Sequence, residues 1–421
     1  MTGVTIRQAA LGGGVLVFVG IAMMRCSIAA DNVAAPASDH GEQRATMLLP
    51  DLLTTYQKST YDWRLPAWMP KPLEPRDNPT TSAKVELGQR LFYDTRLSVN
   101  RSRSCATCHR QELAFTDGLK VSPGALGHLT VRNSMSLANV AYSPVLTWSN
   151  PLLHTLELQV LVPLIGQQPI EMGMAGRDQE LISRLSAEPI YPPLFERAFG
   201  KGGGAISLAT VARALAAFQR TLISAHSPYD RYRYEGDIDA LSDAAIRGEA
   251  LFFSERLECH HCHGNFNLND SVVHERNRVG EIAFHNTGLY NIDGQGAYPP
   301  DNIGLQEHTG RAEDMGRFKG PTLRNIAVTA PYMHDGSIAS LDEVIDHYVA
   351  GGRSIAAGAY AGVGRDNPLK SSFIPGFTLT PQERADLLAF LRSLTDQQFL
   401  NDARFADPWV KHPSSSVREG R

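Results

Sequence analysis

Cys105-Ala106-Thr107-Cys108-His109 and Cys259-His260-His261-Cys262-His263 decide how this chain is read. Both are C-x-x-C-H. Two thiols at that spacing reach both vinyl groups of one porphyrin, and the next histidine turns under the ring to ligate iron. The two pentapeptides take up four of the five cysteines in 421 residues. Five cysteines are too few for a disulfide scaffold. A pair of disulfides or a C-x-x-C…C-x-x-C zinc site competes with this reading, but zinc does not explain a histidine directly after both pairs. The expectation is two covalently bound haem c groups, held by Cys105, Cys108, Cys259 and Cys262, with His109 and His263 on iron.

Outward from these sites the chain repeats itself. Leu87-Gly88-Gln89-Arg90-Leu91-Phe92 precedes the first and Arg247-Gly248-Glu249-Ala250-Leu251-Phe252 the second, both G-x-x-L-F. Downstream, Ser136-Leu137-Ala138-Asn139-Val140-Ala141 matches Thr322-Leu323-Arg324-Asn325-Ile326-Ala327, and nine residues after each asparagine stand Trp148 and His334. Thr155-Leu156-Glu157 matches Ser340-Leu341-Asp342, each predicting a helix with a hydroxyl N-cap and an early acid. Two copies of one module, not a solenoid, follow from repetition at this scale. The predicted fold is mainly α: two cytochrome c-like haem domains related by an internal repeat, with little strand. Residues 83–235 are expected to form the first, open haem domain and 236–400 the second, six-coordinate one. Ser207 to Ser224 carries Leu208, Val211, Leu215, Phe218 and Leu222 at helical spacing and reads as a core helix of an insert. Residues 31–82 read as a tail and an extended arm, with Pro66, Pro70, Pro72, Pro75 and Pro79 barring regular helix. Residues 401–421 read as a C-terminal tail, poorly ordered from about 407. The Gly- and Asn-rich loop 264–315 is expected to wrap the second haem and form part of a docking face.

Forty Lys plus Arg against 44 Asp plus Glu give a formal charge of −4, with no basic field for nucleic acid. At the start, Arg7 precedes an uncharged apolar run from Ala9 to Met24. Small residues follow at Ser27, Ala29 and Ala30, and polar sequence begins at Asp31. That order is a secretory signal over residues 1–30. The run of about 16 residues is short for a bilayer span of roughly 20, which leaves an uncleaved anchor as the alternative. Arg25 stands where a lipobox before Cys26 requires a small residue. Processing removes Arg7 and Arg25 and no acid, leaving 38 bases against 44 acids, a charge of −6. An exported periplasmic protein without a membrane span is expected, in keeping with haem attachment outside the cytoplasm.

Carrying the repeat on from Leu156 and Leu341 sets Pro163 against Tyr348. Iron in haem has two axial positions, and a phenol oxygen is an established ligand type. Proline has no side-chain donor, so one haem is read as closed and the other as open to a small oxidant. His347 competes with Tyr348, but neighbouring helical residues point about 100° apart and only one can face the metal. The repeat favours Tyr348. Gln159 lies one turn before Pro163 on the same face. Glu171, in Pro169-Ile170-Glu171-Met172-Gly173, can move a proton from the inner to the outer oxygen of a peroxide; a plain surface acid is the alternative. Trp148 is either a packing anchor or a relay between the haems.

As an ordered set, the two C-x-x-C-H sites, Asn139-Val140-Ala141-Tyr142, the Pro169–Gly173 segment, Pro321-Thr322-Leu323-Arg324-Asn325 and Ala330-Pro331-Tyr332-Met333-His334-Asp335-Gly336 resemble the bacterial dihaem cytochrome c peroxidase superfamily. The likeness covers roughly residues 80 to 400. His347-Tyr348-Val349-Ala350-Gly351-Gly352 is similar to the MauG-like branch, which has tyrosine where the peroxidase branch has methionine. Leu146-Thr147-Trp148-Ser149-Asn150-Pro151 and Leu161-Val162-Pro163-Leu164 are most similar to the MbnH group, associated with methanobactin operons. The resemblance implies His109 as proximal ligand of the reactive haem, with Gln159, Pro163 and Glu171 on its distal side. It implies His263 and Tyr348 on the second haem, and Trp148 between the two. It also implies a calcium ion held by the Asn139 side chain and the carbonyls of Thr329 and Pro331. In that branch hydrogen peroxide takes both haems to a shared Fe(IV) state, which draws electrons from a tryptophan of a partner protein. In the MbnH group the partner is the periplasmic copper-binding MbnP, and the tryptophan becomes kynurenine. Gln159 to Glu171 is two residues longer than in MauG itself. His128 lies where ordinary peroxidases carry a removable ligand to the open haem, but off register by about three residues, and reads as a loop histidine. The other functions in view are a cytochrome c peroxidase fed by small redox proteins and a non-enzymatic dihaem carrier. An open haem beside Glu171 argues against the carrier, and Tyr348 against the ordinary peroxidase.

Overall fold

The computed structural model describes residues 61–410. The signal-like segment 1–30, residues 31–60 of the tail and residues 411–421 lie outside the described residues. The described chain is mainly helical. Its strands are the two-residue pieces Ser354–Ile355 and Gly362–Val363, paired antiparallel.

The G-x-x-L-F repeat is a helix crossing built twice. The helix Ser82–Phe92, capped by Thr81, packs across the helix Leu208–Arg220, capped by Ser207. The helix Asp243–Phe252 packs across Pro381–Ser393 in the same way. A Cβ placed on Gly88 would lie 2.0 Å from the Ala214 carbonyl oxygen, and one on Gly248 would lie 2.0 Å from that of Asp386. Only glycine lets the backbones come this close. The following Leu-Phe pair turns inward: Leu91, Phe92 and Phe252 are buried. Phe92 sits 6.5 Å from the His109 ring and Phe252 6.4 Å from that of His263, centroid to centroid.

This duplication corrects one expectation. The 208–220 helix, read as belonging to an insert, is the first-half counterpart of 381–393, because each packs on its module's Gly-containing helix. The two halves differ just before it. The first runs through the helices Asp178–Ser186 and Tyr191–Phe199, and the second through the short hairpin at 354–363.

Asn139 and Asn325 occupy equivalent places, both left-handed, at φ 56° and 61°. Asn139 N donates to Leu222 O at 2.8 Å, and its Oδ1 accepts from Ser224 N at 2.8 Å. Asn325 N donates to Leu394 O at 2.9 Å, and its Oδ1 accepts from Asp396 N at 2.8 Å. Asn325 Nδ2 then donates to Ser224 Oγ at 3.0 Å, and Ser224 Oγ donates to Asp396 Oδ2 at 3.1 Å, a buried polar link between the repeats.

The proline-rich arm holds no helix from 61 to 81 and lies on the body: Met69 is buried beside Tyr142, whose hydroxyl donates to Pro70 O at 2.7 Å. The C-terminal stretch is docked further than expected. Phe405 is buried, Tyr93 OH donates to Phe405 O at 2.7 Å, and Trp409 Nε1 donates to Arg90 O at 3.1 Å. The Trp409 indole, bonded to Arg90 and packed edge-on against Tyr191, holds residues 407–410, which composition alone marked as loose.

Candidate functional site

Both Cys pairs are built alike. Cys105–Cys108 forms one helical turn opened by Ser104, whose N–H donates to Thr107 Oγ1 at 3.0 Å. His109 follows, with Nδ1 2.7 Å from Phe115 O. In the second half, His263 ends the turn His260–His263 with Nδ1 2.9 Å from Leu268 O. A carbonyl on Nδ1 fixes that nitrogen as the donor and leaves Nε2 as the free ligand atom. Burial lowers the pKa of both rings and favours the neutral, ligating form. The four cysteines of the two pairs form no disulfide. The second pair and His263 open into a cavity walled by apolar side chains including Leu323, Ile326, Val344 and Leu391. A thiol pair, an imidazole with a free nitrogen and an apolar slot fit a covalently held porphyrin.

Tyr348 lines that same cavity. It sits on the helix Leu341–Val349, capped by Ser340 as predicted. Burial raises the pKa of its phenol. His347 is buried away from the cavity lining, with neither ring nitrogen hydrogen-bonded, and burial pushes its pKa down to about 4. The tyrosine therefore faces the slot and the histidine does not.

In the first half, Thr155 caps the turn Leu156–Gln159, and Pro163 lies in the next one, Leu161–Ile165. Pro163 O accepts from Met172 N at 2.9 Å and Leu164 O from Met174 N at 3.0 Å, zipping the Glu171 segment to the proline turn. The other side is held by Ala125 N, which donates to Glu171 O at 2.6 Å, and by Gly124, where a Cβ would lie 2.1 Å from Ile170 O. Burial alone pushes the Glu171 carboxyl up to about 7. Its side chain is half-buried. Gln159 is half-buried, and His128 is exposed, contributing its carbonyl to Gly124 N. The loop reading of His128 agrees with that exposure.

Trp148 lines the cavity, and its Nε1 donates to Asn133 O at 2.8 Å. Thr329 and Pro331 line it too, but Asn139 does not. The Asn139 amide is spent on the Ser224 backbone, Nδ2 donating to Ser224 O at 2.9 Å. The Asn139 side chain is therefore committed away from that cavity. The amide sharing a cavity with Thr329 and Pro331 is that of Asn133, whose Nδ2 is taken by Leu119 O at 2.7 Å.

Sequence reading missed two cavity residues, His285 and Lys319. Burial acts against a charged His285, yet the Asp270 carboxylate, 3.3 Å from its Nε2, pulls its pKa upward. Burial pushes the Lys319 ammonium down to about 8, and its Nζ donates to Val145 O at 2.9 Å. Both come from stretches outside the recognised motifs. His334, the repeat mate of Trp148, stacks on Phe318 at 3.5 Å, and burial pushes its pKa down to about 3.

Two thiol pairs with histidines and an α scaffold folded twice around them define a c-type di-haem oxidoreductase. Residues 82–239 match the family model for di-haem cytochrome c peroxidase. The chain is 35% identical over 322 residues to the methylamine utilization protein MauG of Methylorubrum extorquens, spanning 76% of this chain and 80% of that one. It is 32% identical to the cytochrome c peroxidase Ccp of Escherichia coli over 64% of this chain and 54% of the other. A crystal structure of a MauG-like protein associated with microbial copper homeostasis is 51% identical, with a TM-score of 0.81 over 83% of this chain and 100% of that one. The chain belongs to the di-haem cytochrome c peroxidase and MauG family and is an enzyme of that family.

Proposed function

We propose that this protein uses hydrogen peroxide to oxidise a tryptophan of a periplasmic partner, an MbnP-like copper-binding protein, to kynurenine. One observation carries the reading: Tyr348 faces the slot of His263, while the matching position of the first half is Pro163. Likeness to a solved MauG-like protein associated with copper homeostasis supports the choice of partner. Bound haem supplies the iron sites at which peroxide is reduced and oxidising equivalents are held.

The chain's own residues do the rest. On this reading Pro163 leaves the distal face of the first site without a donor. Glu171, with a carboxyl poised near 7, takes a proton from one peroxide oxygen and returns it to the other. Gln159 offers an amide N–H to hold the peroxide in place. Tyr348 would offer a bound metal a hard oxygen of the kind that favours its oxidised state. Trp148, its indole fixed by Asn133 O, stands between the sites as a relay. Residues 83–235 form the peroxide-facing domain and 236–400 its partner. Calcium would be held by oxygens of Thr329 and Pro331 together with Asn133. Export follows from the segment 1–30, and among the described residues no helix is long and apolar enough to cross a membrane.

The test adds peroxide to the purified diferric protein with and without the partner. Tryptophan-to-kynurenine conversion in the partner, without an added electron donor, supports the reading. Turnover only with a reduced small redox protein would instead favour a cytochrome c peroxidase.

A further inference from the structure

The two x-x pairs between the cysteines differ in kind: Ala106-Thr107 in the first site, His260-His261 in the second. Haem attachment uses neither pair of side chains, and no step above employs the two histidines. The short turn His260–His263 brings both rings together, centroids 4.2 Å apart and tilted by 33°. Glu255 straddles them. Its Oε1 lies 3.5 Å from His260 Nε2 and its Oε2 3.8 Å from His261 Nε2. Glu258 Oε2 lies 2.6 Å from the same His261 nitrogen. Phe373 stacks on His261 at 4.4 Å and steadies its ring.

We propose that Glu255, His260 and His261 form a divalent transition-metal site. One donor atom from each of the first three falls within 4.8 Å of the others. The carboxylate contacts of 3.5 and 3.8 Å are close to the separation of two ligands on a single ion with bonds of about 2.0–2.2 Å. His260 Nδ1 is buried without a hydrogen-bond partner, so the ring's polar contact is the one toward Glu255. The 2.6 Å contact between His261 and Glu258 is closer than two ligands of one ion sit. Glu258 therefore gives up that nitrogen when the metal enters. Imidazole and carboxylate donors suit Cu(II), Zn(II) and Ni(II), and the order of affinities places Cu(II) first. Glu255 is 81% exposed, which leaves an entry path from solvent.

The experiment titrates Cu(II), then Zn(II), into chelator-stripped haem-loaded protein, read by calorimetry and by the Cu(II) electron paramagnetic resonance spectrum. A single saturable Cu(II) site with nitrogen and oxygen ligation is expected, with Zn(II) binding more weakly. Glu255→Gln and His261→Ala should each weaken it by about tenfold or more while the haem spectra stay unchanged. Glu255 is a surface position, so its variant keeps the test sound if His261→Ala loses haem. No saturable Cu(II) binding below about 1 mM, or binding that Glu255→Gln leaves intact, overturns the site.

Discussion

Glu171→Gln tests the chemistry and the energetics of one carboxyl together. Burial holds that group near 7 instead of 4.5, so at pH 7 about half of it is ionised. A base must be ionised to accept the first proton. The peroxide reaction should therefore quicken about tenfold per pH unit below 7 and level off above it. Replacing the carboxyl by an amide should lower the rate by about 10²- to 10⁴-fold and flatten the profile. The stability effect has the opposite sense. A folded-state pKa raised above the unfolded one stabilises the fold at low pH, and that advantage fades as pH rises from 4.5 through 7. A displacement of this size corresponds to at most about 3 kcal/mol, the group being only partly buried. Glu171→Gln should thus be more stable than the parent at pH 8, with the gain gone at pH 4. Stopped-flow peroxide reactions across pH, with denaturant unfolding at both ends, measure the two effects. A variant that keeps an inflection near 7, or loses less than about tenfold in rate, would remove Glu171 from the proton path.

Three further outcomes follow from named contacts. Gly248→Ala puts a methyl 2.0 Å from the Asp386 carbonyl oxygen. It should cost about 2–3 kcal/mol on denaturant unfolding, despite the roughly 1 kcal/mol helix preference of alanine; a neutral variant would disprove the close crossing. Asp230→Ala strands the Arg324 guanidinium, which is bonded to both carboxylate oxygens at 2.8 and 2.9 Å and is 1% exposed. A loss of about 3–5 kcal/mol is expected, and less than about 1 would contradict the pairing. Tyr348→Met should change the second-haem spectrum and shift behaviour toward an ordinary peroxidase, and an unchanged spectrum would refute the ligand assignment.

What the sequence makes legible here is local or duplicated. Thr155 and Ser340 cap their helices as their types and repeat positions demand, each accepting from the N–H three residues on. The thiol pairs read directly because haem attachment is a property of five adjacent residues. Features set by distant partners do not read. The Asn139 amide is committed to Ser224, 85 residues away, and nothing near Asn139 announces it. The 208–220 helix shares only shape with 381–393, since its role is to meet a glycine at close range and many side chains allow that. Trp409 reaches Arg90 across 319 residues, so composition alone marks its segment as loose. His285 meets Asp270 at 3.3 Å, a neighbour that only the folded loop supplies.

A duplicated frame explains how one chain can hold two haem sites whose facing residues differ. The recurring elements are those that fix where a porphyrin sits: the glycine crossing, the Phe beside each proximal ring, the carbonyl on each Nδ1 and the left-handed asparagine. These residues touch one another in a close-packed interior, so a change in one disturbs the rest. The positions that differ meet the slots or the surface instead: Pro163 against Tyr348, Trp148 against His334, Ala106-Thr107 against His260-His261. Tyr348 lines the slot rather than the close-packed frame, so exchange there is weakly coupled to it. Divergence of ligand chemistry at a constant scaffold is then the low-cost route. It predicts that exchanging Pro163 for Tyr should close the first site while changing stability far less than Gly88→Ala, whose Cβ would meet Ala214 O at 2.0 Å. Equal losses from the two substitutions, read by the same unfolding assay, would mean that slot and scaffold are not separable.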